Sequence, residues 1–517
     1  MEPASKPSKG RGLIARTLLF GVVVLLLRFV YVVAIRGGSC TSGDFCFFSL
    51  PDELSLPGAG GIFRGAANVR FAEESVVSNE LRRRWTSRVW PKAVEFYAAI
   101  FQDLVVQGFL SPTSKCLCID TSLGQEVFAL KEIGIADSVG ISKNKSPPLV
   151  ITGDALHLPF GNNTFDFIFA GRVLDQNLRL GHLAEEISRV LKSEGFLVLL
   201  TGSAGDRYSL HSLEALFPFC KKVRSREVDG IDSLKTLREI VFQKEELNLN
   251  VLHKGEEGEN DAYPSSGGIL VNNCPVSAHK LQLLRSAEPL IEEEPLKPWI
   301  TLKRNVKDIK YLPSMVDISF KQRYVYIDVG ARSYGSSIGS WFRKQYPMQN
   351  KTFDIYAIEA DKAFHGEYAS RKGITLIPMA AWIRNESLSF EVNHDLEKKG
   401  DEKGLGMGRI RRDSLSSGNL HTVQGFDLAE WLKSTVTEKD FVVMKMDVEG
   451  AEFDLVPRLF ETGAICLIDE LFLECHYNRW QRCCVGKRSP KYENTYGQCI
   501  HLFSSVRDSG VLVHQWW

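Results

Sequence analysis

The chain has no excess of charge of either sign: 63 Lys and Arg stand against 63 Asp and Glu in 517 residues. Without a basic surplus to neutralise phosphates, a general nucleic-acid or anionic-lipid binder is not expected, although local basic patches remain open. The 11 cysteines include no CxxC pair, so a zinc cluster, and with it any metal site, is not expected. No GxGxxG turn occurs, which counts against a dinucleotide. No Asp-x-Asp turn occurs either, which counts against a metal-dependent sugar transferase. Long apolar runs are scarce. Only Leu18 to Ile35, LLFGVVVLLLRFVYVVAI, approaches the roughly 20 residues that span a bilayer.

That run is interrupted by Arg28, whose head can snorkel to the nearer interface. Lys6, Lys9, Arg11 and Arg16 precede it and only Arg36 follows closely. The bias predicts a cytosolic tail over 1–17, a signal-anchor over 18–35 and a stalk over 36–81. A single-pass type II protein of the Golgi or endoplasmic reticulum membrane follows, with a lumenal C-terminus. A signal peptide cleaved near Gly37-Gly38-Ser39 is the competing reading. Cysteines suit the lumen, where disulfides persist: Cys40 and Cys46 lie past the anchor, and Cys466, Cys475, Cys483, Cys484 and Cys499 crowd the C-terminal region. Disulfides and buried free thiols are both open, and the odd count leaves at least one cysteine without an intrachain partner. Asn144, Asn162, Asn350 and Asn385 begin Asn-x-Ser/Thr triplets, a weak sign of the same compartment.

A chain of this length needs more than one core. Arg82 to Leu110 reads as a helix, with Pro91 near its start. Cys116 then begins an alternation: CLCIDT, PLVITGDA, FDFIFAG and GFLVLLT as strands, with Leu183 to Lys192 helical. Residues 245–300, rich in acids, Gly and Pro, read as a linker. Alternation resumes at Tyr324. The predicted fold class is therefore α/β: two tandem Rossmann-like domains, 82–244 and 301–517, behind the transmembrane helix. His394 to His421, with Arg409, Arg411 and Arg412, reads as a mobile surface loop, either a solvated face or a substrate lid.

The most informative stretch is FVVMKMDVEGAEFDL, Phe441 to Leu455. A buried strand delivers Asp447, Glu449 and Glu452 at its C-terminal end, where open α/β sheets hold ligands. YVYIDVGARSYGSSIGSWFRKQY, from Tyr324, reads as strand, glycine turn and helix, with Asp328 at the strand end and Gly330 and Gly335 in the turn. Glu359 ends the next strand, where a carboxylate can accept both ribose hydroxyls. S-adenosylmethionine has no phosphates but carries an amino group and a sulfonium, which acids such as Asp328 and Asp447 match.

IDVGARSYG, IEAD, IPMAAWI, TVQGFDLAEWL and MKMDVEGAEFDLV occur in the order of FkbM-type methyltransferases, which Tyr324 to Trp480 resembles. ECHYNRW is similar to that family's following strand. The resemblance implies a class I methyltransferase fold and O-methyl transfer from S-adenosylmethionine. It implies that Asp328, Gly330, Ala331 and Gly335 hold the methionine part and Glu359 the ribose, with Asp447, Glu449 and Glu452 at the acceptor end. Arg332 stands where that family often has Asn, and Ala360 where it has Pro. Asp447 and His476 are the candidate bases for the acceptor hydroxyl, while Glu449 and Glu452 can instead favour the start of a helix.

In the first half, GDALHLPFGNNTFDFIFAGRVLDQ and EISRVLKSEGFLVLLT resemble the UbiE-like group of class I methyltransferases, in which Asp154 would read adenine. The turn after Cys118 keeps only Asp120 and Gly124, and Ser142 stands where an acid is expected. The first domain is thus expected to be a decayed relative and the second the working one. The expected whole is a membrane-anchored O-methyltransferase acting on a hydroxyl, such as one on a glycan. The competing expectation is a non-enzymatic scaffold.

Overall fold

The computed structural model describes residues 85, 87, 89–144, 146–176, 179–231, 236–245, 278–392, 408–410, 420–481 and 486–516. All lie in one compact unit, Val69–Trp517. The expected anchor at 18–35, the stalk, Cys40, Cys46, Cys483, Cys484, Arg411 and Arg412 fall outside the described residues. Among the described residues no helix is long and apolar enough to cross a membrane.

Helix α1 (Val89–Val106) opens the described chain, with Pro91 in its first turn, where a missing N–H costs nothing. The first sheet is built from β1 (Cys116–Ile119), β2 (Ser138–Ser142), β3 (Val150–Thr152), β4 (Phe165–Ala170), β5 (Leu191–Thr201), β6 (Cys220–Asp229) and β7 (Thr236–Lys244). Their order is β3-β2-β1-β4-β5-β7-β6, and β7 alone runs antiparallel to its neighbours. β1 is buried along its whole length, as its apolar CLCI requires of a central parallel strand. One face packs on α1 and on α2 (Gln125–Glu132) through Phe101, Leu104, Val127, Leu130, Phe167 and Phe169. The other packs on α3 (Leu180–Val190) and α4 (Arg207–Leu216) through Leu183, Ile187 and Leu213.

The second sheet uses β8 (Tyr324–Val329), β9 (Asp354–Ile358), β10 (Ile374–Ile377), β15 (Phe441–Met446), β16 (Glu470–Leu473) and β17 (Leu512–Gln515). Its order, β10-β9-β8-β15-β16-β17, is parallel throughout, so it lacks the antiparallel strand that closes the first sheet. Beside it β11 (Ala380–Trp382), β12 (Glu386–Val392), β13 (Gly408–Ile410) and β14 (Leu420–Asp427) form a small sheet ordered β11-β14-β12-β13. Residues 408–410 of the expected surface loop are therefore a strand, paired with β12 through Phe390↔Ile410. The expected helix after β8 is also corrected: only a π turn, Ile338–Phe342, and the short Arg343–Gln345 follow.

α5 (Lys362–Ala369), α6 (Leu428–Thr435), α7 (Glu452–Glu461) and α8 (Tyr496–Asp508) complete the second half. Tyr208 of α4 joins the aromatic core under β8 and β15 and donates to Asp469 Oδ1 at 3.0 Å. The Asp317 N–H donates to Asp206 Oδ2 at 3.1 Å, a second polar tie between the halves.

Candidate functional site

Strand order reverses between β8 and β15, because β9 and β10 lie to one side of β8 and β16 and β17 beyond β15. A crevice opens outside the carboxyl ends of such a pair. Here it is a cavity of about 110 Å³. Gly330, Glu359, Asp447 and Glu449 line it from the sheet, and Phe390 and Arg409 from the small sheet. Ile358, Phe364, Met379 and Ala381 give it an apolar side.

Three close backbone approaches shape its floor. Gly330 has φ +78° and donates its N–H to the Ile358 carbonyl at 3.0 Å. A Cβ on Gly330 would lie 1.9 Å from the Asp447 carbonyl oxygen, so only glycine fits. Asp447 N–H in turn donates to the Val329 carbonyl at 2.9 Å.

Glu359 is 7% exposed. Its carboxylate accepts the N–H of Arg332 and that of Asp361, each at 2.6 Å. Burial, against those two amides, pushes its pKa up to about 7. Arg332 has φ +52°, a left-handed conformation that Asn tolerates better than most residues.

The structure brings Gly330, Glu359, Asp447 and Glu449 together around one cavity, but not the other expected cofactor residues. Asp328 is fully buried below it: Oδ2 accepts from Ser337 and, at 3.2 Å, from Tyr326, while Lys445 Nζ lies 3.4 Å from Oδ1. It serves as counter-ion to Lys445, which is 4% exposed. Burial alone would lower the Lys445 pKa, but Asp328 and Asp447 outweigh it and raise it. Ala331 is buried, with its carbonyl accepting from Ser336 and Tyr368, and Gly335 lies at the surface.

On the β15–β16 side four carboxylates surround one imidazole. His476 Nε2 lies 3.7 Å from Asp447 Oδ1, 3.9 Å from Glu449 Oε2 and 3.7 Å from Glu474 Oε1. Its Nδ1 lies 3.3 Å from Glu452 Oε1. Burial opposes a charge on His476, but Glu452, Glu474 and Asp447 outweigh it and raise the pKa to about 9. Burial pushes Glu474 up to about 7, with Asp447 adding to it. Asp447, although a third of its side chain reaches solvent, is likewise raised by burial. Burial would raise Glu449 too, but His476, Lys491 and Tyr492 hold it below the usual range.

Glu449 takes φ +51° and accepts from Lys491 at 2.8 Å and from Tyr492. Glu452 is fully buried and accepts the N–H groups of Gly450 at 2.9 Å and His476 at 2.5 Å, a purely structural position at the head of α7. Glu474 was missed from the sequence. Its place depends on β16 pairing with β15, where its N–H meets the Met446 carbonyl at 2.9 Å. Cys475, between Glu474 and His476, is disulfide-bonded to Cys499 of α8, and Cys466 is also disulfide-bonded. Cys116, Cys118 and Cys220 are free thiols.

In the first sheet the corresponding turn is packed by the chain itself. A Cβ on Gly124 would meet Leu149 Cβ at 2.8 Å, and the Ser146 hydroxyl donates to the Ser122 carbonyl at 2.8 Å. Asp154 Oδ1 accepts the Leu156 N–H at 3.0 Å within its own turn.

Residues 115–199 match the family model described as a methyltransferase domain, Methyltransf_11. Residues 284–392 and 403–517 match the Domain of unknown function DUF7870. No curated protein matches the chain. Solved structures similar to it include a Methanosarcina mazei chain described as a SAM-dependent methyltransferase: 17% identity, 27% of this chain, 97% of that one, TM-score 0.22. A Pyrococcus horikoshii protein is similar at 17% identity over 32% of this chain and 92% of that one, with TM-score 0.24. A Thermotoga maritima chain, described as a SAM-dependent methyltransferase and possible histamine N-methyltransferase, is similar at 15% identity over 32% and 96%, TM-score 0.24. With its sheet order and the 115–199 match, the first half of this chain has the α/β, Rossmann-like methyltransferase fold, and the second half is a parallel α/β sheet of similar plan.

Proposed function

We propose that the second half binds S-adenosylmethionine in the crevice between β8 and β15 and directs its methyl group to an acceptor hydroxyl. The observation that carries this reading is Glu359: a buried carboxylate at the end of β9, fixed by two backbone amides, beside a turn where Gly330 alone is tolerated. The residues present fit the group. Glu359 would hold the ribose hydroxyls, and Ile358, Phe364 and Met379 would flank the adenine. When bound, the cofactor supplies an electrophilic methyl carbon on a sulfonium.

The remaining work falls to the chain. Asp447 lines the cavity and His476 does not, so Asp447 is the group placed to accept the hydroxyl proton. Arg409, whose guanidinium is tied to Glu391 at 2.9 Å and to the Lys491 carbonyl at 2.9 Å, walls off the acceptor side. Orientation of the acceptor against that wall supplies most of the rate. We further propose that this is the FkbM-type activity, that the first domain serves structure or binding, and that the chain is a type II protein of the Golgi or endoplasmic reticulum membrane. A secretory-pathway hydroxyl, such as one on a glycan, suits that location.

Calorimetric titration of S-adenosylmethionine into the full chain tests the reading. One site is expected, lost in Glu359→Ala and retained in Asp154→Ala. Heat consistent with two sites would restore a role to the first domain. No binding at millimolar cofactor would sink the enzyme and leave the scaffold.

A further inference from the structure

We infer that Asp447, Glu449 and His476, with Glu474 beside them, form a binding site for one divalent cation at the acceptor edge of the crevice. One ligand atom from each of the first three lies within 4.8 Å of the others. A six-coordinate ion about 2.1 Å from its ligands sets neighbouring ligand atoms ~3 Å apart and opposite ones ~4.2 Å apart. The Nε2 to carboxylate distances of 3.7 to 3.9 Å fall inside that range.

An independent observation comes from the histidine. His476 is 3% exposed, and its Nδ1 is buried 3.3 Å from Glu452 Oε1. Nε2 points at Asp447, Glu449 and Glu474 from beyond hydrogen-bond reach of each. A buried imidazole aimed at three carboxylate oxygens, and bonded to none, has the form of a ligand set around a shared centre.

The donor set is one nitrogen and carboxylate oxygens, which suits a hard or borderline ion such as Mn²⁺ or Mg²⁺ and excludes the thiolate-seeking ones. Three features mark out the ion's place. Asp447 opens to the cavity, with 33% of its side chain exposed. Lys491 and Tyr492 fix Glu449 through Oε2, the oxygen that also faces His476. The Cys475–Cys499 disulfide fixes the strand end between Glu474 and His476. A cation held there faces the same cavity as the proposed cofactor and can take an acceptor oxygen as a further ligand. The ligands come from the ends of two strands, 447–449 and 474–476, so no linear motif announces them.

Mn²⁺ titrated into the full chain in detergent, without cofactor, tests this through loss of the free-ion paramagnetic resonance signal. One ion per chain is expected. Asp447→Asn and Glu449→Gln should each weaken uptake at least about 10-fold, Lys491→Met should strengthen it, and Glu359→Gln should leave it alone. Uptake absent at millimolar Mn²⁺, or unchanged in both ligand variants, overturns the site. Should those variants fail to fold, the unmodified chain decides: pulsed resonance must show a nitrogen coupled to the bound Mn²⁺, and its absence overturns the assignment of His476. Because the cofactor is left out, failure of S-adenosylmethionine binding and failure of this site are read separately.

Discussion

The Asp447 carbonyl oxygen occupies the space that a side chain on Gly330 would need, 1.9 Å from the position of its Cβ. The two strand ends that bracket the crevice thus meet backbone to backbone. Gly330→Ala would have to push β15 away from β8 while holding φ +78°, a conformation costing an L-residue about 1–2 kcal/mol by itself. We expect a loss of at least about 2 kcal/mol and loss of S-adenosylmethionine binding, checked by urea denaturation and calorimetry. A stable Gly330→Ala protein with full affinity would show that the crevice is not the cofactor site.

Glu359 gives the site a pH dependence. Its folded pKa of about 7 lies above the ordinary carboxyl value, so the folded state binds its proton more tightly than the unfolded chain does. That contribution to stability is present at low pH and is lost as pH rises from about 4.5 through 7. Ribose hydroxyls want the carboxylate, so affinity should run the other way, rising between pH 6 and 8. Glu359→Gln should flatten both curves and weaken binding at pH 8 by about 10-fold, the scale of a hydrogen bond to a charged group. Calorimetry and thermal melts across this range check it; a pH slope that survives in Glu359→Gln would assign the titration elsewhere.

Cys475 and Cys499 close a loop with a sequence separation of 24. Chain entropy assigns such a cross-link about 3 kcal/mol. The double variant Cys475→Ser, Cys499→Ser should lower the thermal midpoint accordingly and respond less to reductant than the unmodified chain, since the bond at Cys466 remains. Equal melting of both proteins with and without reductant would show that the bond contributes nothing.

The central strands were legible because parallel strands buried on both faces read as apolar runs: FVVMKM is buried along its whole length. β6 was not legible. Its CKKVRSREVD is half-exposed and charged, and its strand form comes from pairing with β7. The helix after β8 shrank because Ser337 is drawn down to Asp328, leaving a π turn where the sequence shows an amphipathic run. Asp328 itself was misread for a reason of register. β8 and β15 pair so that Asp328 lies opposite Lys445, and nothing local in either strand says that the acid faces a buried cation and not a ligand. Glu359 and Asp447 were legible because the ends of strands in an open sheet have only the crevice to face.

The disulfide at Cys475 sits between the two residues that complete the acidic edge, Glu474 and His476, and reaches α8, the last helix of the chain. The acidic edge is therefore tethered covalently to α8, and reduction of that one bond would leave Glu474 and His476 held only by the pairing of β16 with β15.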